Sequence, residues 1–366
     1  MTSSWKKGFE IELMAPPGRS REDLARIVAG KKKGSVQRFF HPQAEPSKVP
    51  GTPAFENLTV GFRVLDQQGA AIASFVDDLT LKRDLDKNAA SRLGWHRIVS
   101  DDARQLQLVA RHCDPYAPID RVLEPMAALY GTPLDRHLSG MCKVVDERGA
   151  SVCIVAVQPG ERERGCEIVT APLTDDAGPV LAFLLGEAEA AGFSIPAEAA
   201  LHIHFDGARL KNAGVISNLV RVLARHGPAL KKLVRTNPNC VRLGHWPKPL
   251  VKLAGDPDFM DLEWSRALLP LKECKLTKFC DFNLLNLINE NPRKPTFEVR
   301  ILPVSLEADR ILQMAALFEA ILLWAVETNP RTATIPDSLQ ALLVRLAPDS
   351  PTCAFWLDQA RQARIP

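Results

Sequence analysis

Polar and apolar residues alternate with a period of two in four short stretches: Gly8 to Leu13, Cys166 to Val169, Leu201 to Asp206 and Phe297 to Arg300. Alternate side chains of an extended strand share a face. Glu10 therefore projects with Glu12, His202 with His204 and Asp206, and Glu298 with Arg300, while Phe9, Ile11, Ile203, Phe205, Phe297 and Val299 lie behind them. The pattern predicts a sheet with an apolar back and a charged front. Two other segments, Val64 to Ile72 and Val144 to Val152, repeat one hairpin signature in which an Asp opens the turn and a Gly takes positive φ.

Helical periodicity and end signals place helices at 21–28, 101–112 (capped by Ser100), 119–129, 175–191 (between Thr174 and Gly192), 212–226, 305–328, 337–346 and 353–364. The most apolar run, Ile311 to Val326, is interrupted by Gln313 and Glu319 and falls short of the roughly 20 apolar residues a membrane span needs. With Ser305 as its N-cap it reads as the central buried helix. Stretches 41–54 and 237–257 are rich in proline and read as loops, the second as a substrate lid or an insertion. Strand-like and helix-like segments alternate irregularly, which predicts an α+β fold over one domain, residues 1–366.

Composition narrows the class. At 366 residues, 46% hydrophobic and 24% charged, the chain can build a large core. Its net charge of +3 implies neither a nucleic-acid partner nor an acidic membrane surface, and Lys31-Lys32-Lys33 is the one obvious basic run. The eight cysteines are scattered without a Cys-x-x-Cys pair, several within apolar runs, as expected of reduced, buried thiols. The N-terminus runs into a strand pattern with no apolar leader, and a cytoplasmic enzyme is the natural expectation.

Crowded carboxylates repel each other unless cations sit among them, and an oxygen-rich site with one or two imidazoles suits Mg²⁺ or Mn²⁺ better than a structural zinc. Each motif also has a plain reading. Glu-x-Glu can be a solvent face, His202 and His204 can be satisfied core residues, and Glu298 with Arg300 can be an internal ion pair. No P-loop, dinucleotide fingerprint, Gly-x-Ser-x-Gly elbow or His-Glu-x-x-His helix is present, so any nucleotide must be held by metal and cationic side chains. A different class, a zinc hydrolase built on His202, His204 and a carboxylate, also fits the His-x-His pair. So does a binding module that has kept the sheet.

Taken in order, Gly8-Phe9-Glu10-Ile11-Glu12, Cys166-Glu167-Ile168-Val169-Thr170-Ala171-Pro172-Leu173, His202-Ile203-His204-Phe205, Asn283-Leu284-Leu285-Asn286 and Thr296-Phe297-Glu298-Val299-Arg300 resemble the putative amidoligase family. That family belongs to the superfamily of glutamine synthetase and γ-glutamylcysteine ligase. The resemblance spans residue 8 to about 325 and implies a glutamine-synthetase-like, curved, largely antiparallel sheet backed by helices. It also implies ATP-dependent amide-bond formation between a small-molecule or peptide carboxylate and an amine, with Mg²⁺ or Mn²⁺. On this resemblance Glu10, Glu12, Glu167, His202 and Glu298 would be metal ligands. Arg300 would face the transferring phosphoryl group, His204 would lie near the nucleotide, and Arg235 would be a further anion contact. The segment Phe75-Val76-Asp77-Asp78-Leu79-Thr80 departs from the family's Asp-Gly-Ser-like strand.

Overall fold

In the computed structural model, which describes residues 5–46, 54–158, 160–240, 242–292, 294–346 and 351–365, the strands are β1 (Lys7–Met14), β2 (Ser35–Pro46), β3 (Ala54–Leu65), β4 (Ala71–Val76), β5 (His96–Val99), β6 (Asp135–Arg136), β7 (Cys142–Val145), β8 (Ser151–Val157), β9 (Gly165–Thr170), β10 (Leu201–Asp206), β11 (Phe282–Asn283) and β12 (Thr296–Leu302). The α-helices are α1 (Arg21–Lys31), α2 (Ala103–His112), α3 (Glu124–Tyr130), α4 (Ala177–Ala190), α5 (Ala213–Val234), α6 (Lys248–Ala254), α7 (Pro257–Met260), α8 (Trp264–Glu273), α9 (Leu285–Ile288), α10 (Ala308–Glu327), α11 (Leu339–Leu346) and α12 (Pro351–Gln362). They group into two units, one of Met1–Ile11, Pro172–Leu185 and Glu198–Pro366, the other of Glu12–Ala171 and Gly186–Ala197. The fold is mixed α/β, with antiparallel strands backed by helices.

In the first unit the strand order is β11-β12-β10-β1, all antiparallel. The apolar parity of the sequence becomes its back: Phe9, Ile203, Phe205, Phe297 and Val299 are fully buried. Helix α10 is buried along one side, and its Phe318 ring meets Phe282 at 6.0 Å. The carboxylate that interrupts this apolar helix is compensated, because Glu319 accepts from Lys7 Nζ at 2.6 Å and from Trp5 N at 2.8 Å. Among the described residues no helix is long and apolar enough to cross a membrane. The cap of α10 is Glu307 rather than Ser305, whose hydroxyl instead accepts from Glu307 N.

In the second unit β4 and β5 pair successive halves of one edge of β3, while β2 takes the other edge along its length. Strand β9 follows β4, and β8, β7 and β6 follow β5. Helices α2 and α3 cover this sheet with Leu106, Val109, Leu123 and Met126 against Leu58, Ile98, Val144 and Val155. The two repeated turns are superposable in their bonds. Asp66 accepts from Gln68 N and Ala70 N, Asp146 accepts from Arg148 N and Ala150 N, and Gly69 and Gly149 sit at φ 82° and 79°.

Several boundaries differ from expectation for physical reasons. The stretch 41–54 is not a loop throughout, since β2 runs to Pro46 and β3 begins at Ala54, while residues 47–53 lie outside the described residues. Pro42 is tolerated because, among the described residues, β2 pairs only with β3. Helix α5 continues past Gly227-Pro228 to Val234, its last turns held by the buried Leu230, Leu233 and Val234. Burial there outweighs the helix-breaking preference of proline. Helix α2 begins at Ala103, capped by Asp102, whose side chain accepts from Arg104 N, and Ser100 instead donates to Val152 O. Within 237–257 the chain forms α6, with prolines at its start where a missing N–H costs nothing. No disulfide joins the cysteines among the described residues.

Candidate metal centre

Strand register brings the charged front together. Glu10 lies opposite His202 across β1 and β10, and His204 lies opposite Glu298 across β10 and β12. Asn283 of β11 in turn faces Glu298. Beyond Glu298 the pairing slips: Leu201 and Ile203 face Leu302 and Val299, so β12 carries one extra residue at Arg300-Ile301. The bulge returns Leu302 to the apolar side and leaves Arg300 with the carboxylates.

The resulting cluster is dense in charge, with His202, His204, Asn283, Glu298 and Arg300 buried and Glu10 and Lys294 half-buried. His204 Nε2 lies 3.0 Å from Glu10 Oε1 and 3.8 Å from Glu298 Oε1, and His202 Nδ1 lies 3.3 Å from Glu10 Oε2 and 3.7 Å from Glu298 Oε1. Arg300 donates from Nη1 to Glu298 Oε1 at 2.5 Å, Asn283 Nδ2 donates to Glu298 Oε2 at 2.7 Å, and Lys294 Nζ donates to Glu10 Oε1 at 2.5 Å. The Asn283 amide is oriented by Leu285 N, which donates to its Oδ1.

These contacts set the ionisation. Burial pushes Glu10 and Glu298 up, but Lys294 and the imidazoles hold the Glu10 carboxyl well below its ordinary range, and Arg300 does the same for Glu298. Burial acts on Arg300 in the opposite direction, yet Glu298 keeps its guanidinium more firmly protonated than usual. Burial, reinforced by Arg300, pushes His202 down, so that it is neutral at pH 7. The residues thus present two anionic carboxylates and a neutral imidazole, the forms that bind metal.

Glu10, His204 and Glu298 each place one ligand atom within 4.8 Å of the others. His204 Nδ1 is hydrogen-bonded to Thr296 Oγ1 at 3.0 Å, which fixes the ring. Its Nε2 is buried, close to two carboxylates and yet without a hydrogen bond. An orphaned imidazole nitrogen between carboxylate oxygens fits a hard divalent cation. Replacing His204 with Ala is expected to weaken Mn²⁺ binding about tenfold or more, measured by calorimetry on the folded protein. Unchanged affinity would remove His204 from the ligand set.

Glu12 and Glu167 belong to the second unit, where both are buried, on β1 and β9. Asp206 caps the turn after β10, accepting from Ala208 N. Arg235 is exposed at the C-cap of α5, at φ 60°, and makes no ion pair with the cluster. Asp78 accepts from Thr80 within its own turn, and neighbouring Asp77 is tied to Arg21 and Arg162. Lys294, Thr296 and Asn283 are not among the residues that the sequence pattern marks for chemistry. Asn283 sits in one of the segments that carry the family resemblance, whereas Lys294 lies in a loop without any periodic signal.

The sequence profile of a family described as "Putative amidoligase enzyme" matches residues 3–322. No curated protein matches the chain.

Proposed function

The chain belongs to the putative amidoligase family, and from that premise we propose that it is an ATP-dependent carboxylate-amine ligase with a glutamine-synthetase-like catalytic sheet. The γ-phosphoryl group of ATP passes to a substrate carboxylate oxygen. An amine then attacks the carbonyl carbon of the acyl phosphate, phosphate leaves, and the amine proton is lost as the amide forms. The observation that carries this reading is the convergence of Glu10, His204 and Glu298 on three adjacent strands, with Arg300 held against Glu298.

Glu10, His204 and Glu298, with His202 beside them, are the residues we assign to one Mg²⁺ or Mn²⁺. Glu12 and Glu167, buried in the second unit, are assigned to a further ion. Bound metal would supply neutralisation of polyphosphate charge. Arg300 offers a planar, permanently charged donor fork for the transferring group, and its Nε has no partner of its own. Asn283 and Thr296 hold Glu298 and His204 in orientation. The carboxylates act here as ligands and not as an acid-base pair. A zinc hydrolase would need neither the second carboxylate nor the guanidinium behind it. Substrates are a small-molecule or peptide carboxylate and amine, and a cytoplasmic setting is part of the same proposal.

ATP with Mg²⁺ is expected to raise the melting temperature by several degrees, since a ligand at about 100 times its Kd stabilises the native state by about 2.7 kcal/mol. Release of ADP and phosphate, screened against pools of acids and amines, identifies the substrates. A melt that ignores ATP with Mg²⁺ but responds to Zn²⁺ alone would overturn the ligase in favour of the hydrolase.

A further inference from the structure

Two carboxylates and two permanent cations meet in the cluster, and the cations are held differently. Arg300 is buried, bonded through its guanidinium to Glu298 and through its backbone N–H to Asp281 O. Lys294 stands just before β12 with its side chain 41% exposed, and its ammonium meets Glu10 Oε1 at 2.5 Å. That is the same oxygen that lies 3.0 Å from the orphaned His204 Nε2. Glu10 Oε1 is therefore where an ammonium and a divalent cation would compete. Like charges so close repel strongly at a site screened little by solvent. Only one of the two cationic side chains can yield. Arg300 is enclosed and anchored, whereas Lys294 carries a point charge on a flexible four-carbon stem with solvent beside it.

We propose that Lys294 is a tethered stand-in for the metal. It neutralises Glu10 in the metal-free protein, gives up that carboxylate when a divalent cation binds, and turns its ammonium to the polyphosphate of the nucleotide. The second half rests on the ligase reading, and the exchange of cations at Glu10 does not. The device explains how half-buried Glu10, beside buried Glu298, stays ionised before metal arrives. It also couples occupation of the metal centre to a new phosphate contact.

The test reads two affinities of one variant in opposite directions. Nucleotide-free Mn²⁺ binding, followed by the electron paramagnetic resonance of free Mn²⁺, is expected to be about fivefold or more tighter in Lys294→Met, because the competitor is gone. ADP binding at saturating Mn²⁺ is expected to be about tenfold weaker in the same variant and restored largely by Lys294→Arg. Unchanged or weaker Mn²⁺ binding by Lys294→Met overturns the exchange, and unchanged ADP affinity overturns the phosphate contact. If Lys294→Met does not fold, Lys294→Gln reads the same pair. A wild-type protein that binds no Mn²⁺ overturns the metal centre and the exchange with it, whereas a failure confined to the variants overturns the role of Lys294 alone.

Discussion

Glu298→Gln is expected to abolish metal-dependent ATP binding and to lower kcat/KM by about three orders of magnitude or more. The substitution keeps the volume of the side chain and removes the charge that faces His204 across the strand pair and accepts from both Arg300 and Asn283. Two losses coincide. The cation loses an anionic ligand, and the buried guanidinium of Arg300 loses its counter-charge, an event that costs about 3–5 kcal/mol when one partner of a buried pair is removed outright. The amide oxygen of Gln can still accept from Arg300, so the protein should remain folded with a lowered melting temperature. Calorimetric titration with Mn²⁺ and ADP, together with a melt in chelator, separates binding from stability. Wild-type metal affinity in a folded Glu298→Gln protein would return Glu298 and Arg300 to the reading of a structural ion pair.

Arg300→Lys should divide binding from turnover. A lysine keeps a positive charge near Glu298 but lacks the planar fork that meets two oxygens at once. Ground-state affinity for ATP with Mg²⁺ should change little, while kcat falls about a hundredfold or more. Contacts strongest in the transition state appear in kcat rather than in binding. The bulge at Arg300-Ile301 makes the position demanding, since β12 leaves its regular pairing with β10 immediately after Val299. Steady-state kinetics with the acid and amine found by the substrate screen, paired with direct nucleotide binding, provide the measurement. Lost ATP binding with undiminished turnover at saturation would show that Arg300 does not serve phosphoryl transfer.

Much of this was legible in the chain. Strict alternation in Phe9-Glu10-Ile11-Glu12, His202-Ile203-His204-Phe205 and Phe297-Glu298-Val299-Arg300 decides which residues go to the back of the sheet and which to the front, because the parity of a strand is a local property. The paired Asp-Gly hairpins are local for the same reason, with the side chain of the turn Asp closing its own loop. The order of these segments also carried the family resemblance, which the profile match over residues 3–322 bears out.

Parity, however, says nothing about register or neighbours. Sequence alone left open whether the two histidines faced carboxylates or each other's core, and the pairing of Glu10 with His202 and of His204 with Glu298 exists only once β1, β10 and β12 are side by side. Lys294 and Asn283 enter the site from a loop and a two-residue strand, segments too short or too irregular to carry a period, and Thr296, on the periodic strand β12, meets His204 only once β10 lies beside it. The same limit governs the errors of extent. Pro42 within β2 and Pro228 within α5 are local signals to stop, and long-range pairing and burial override them. A side chain's face is set by its immediate neighbours in the chain, but its partners are set by contacts between residues hundreds of positions apart, and only the tertiary structure decides those.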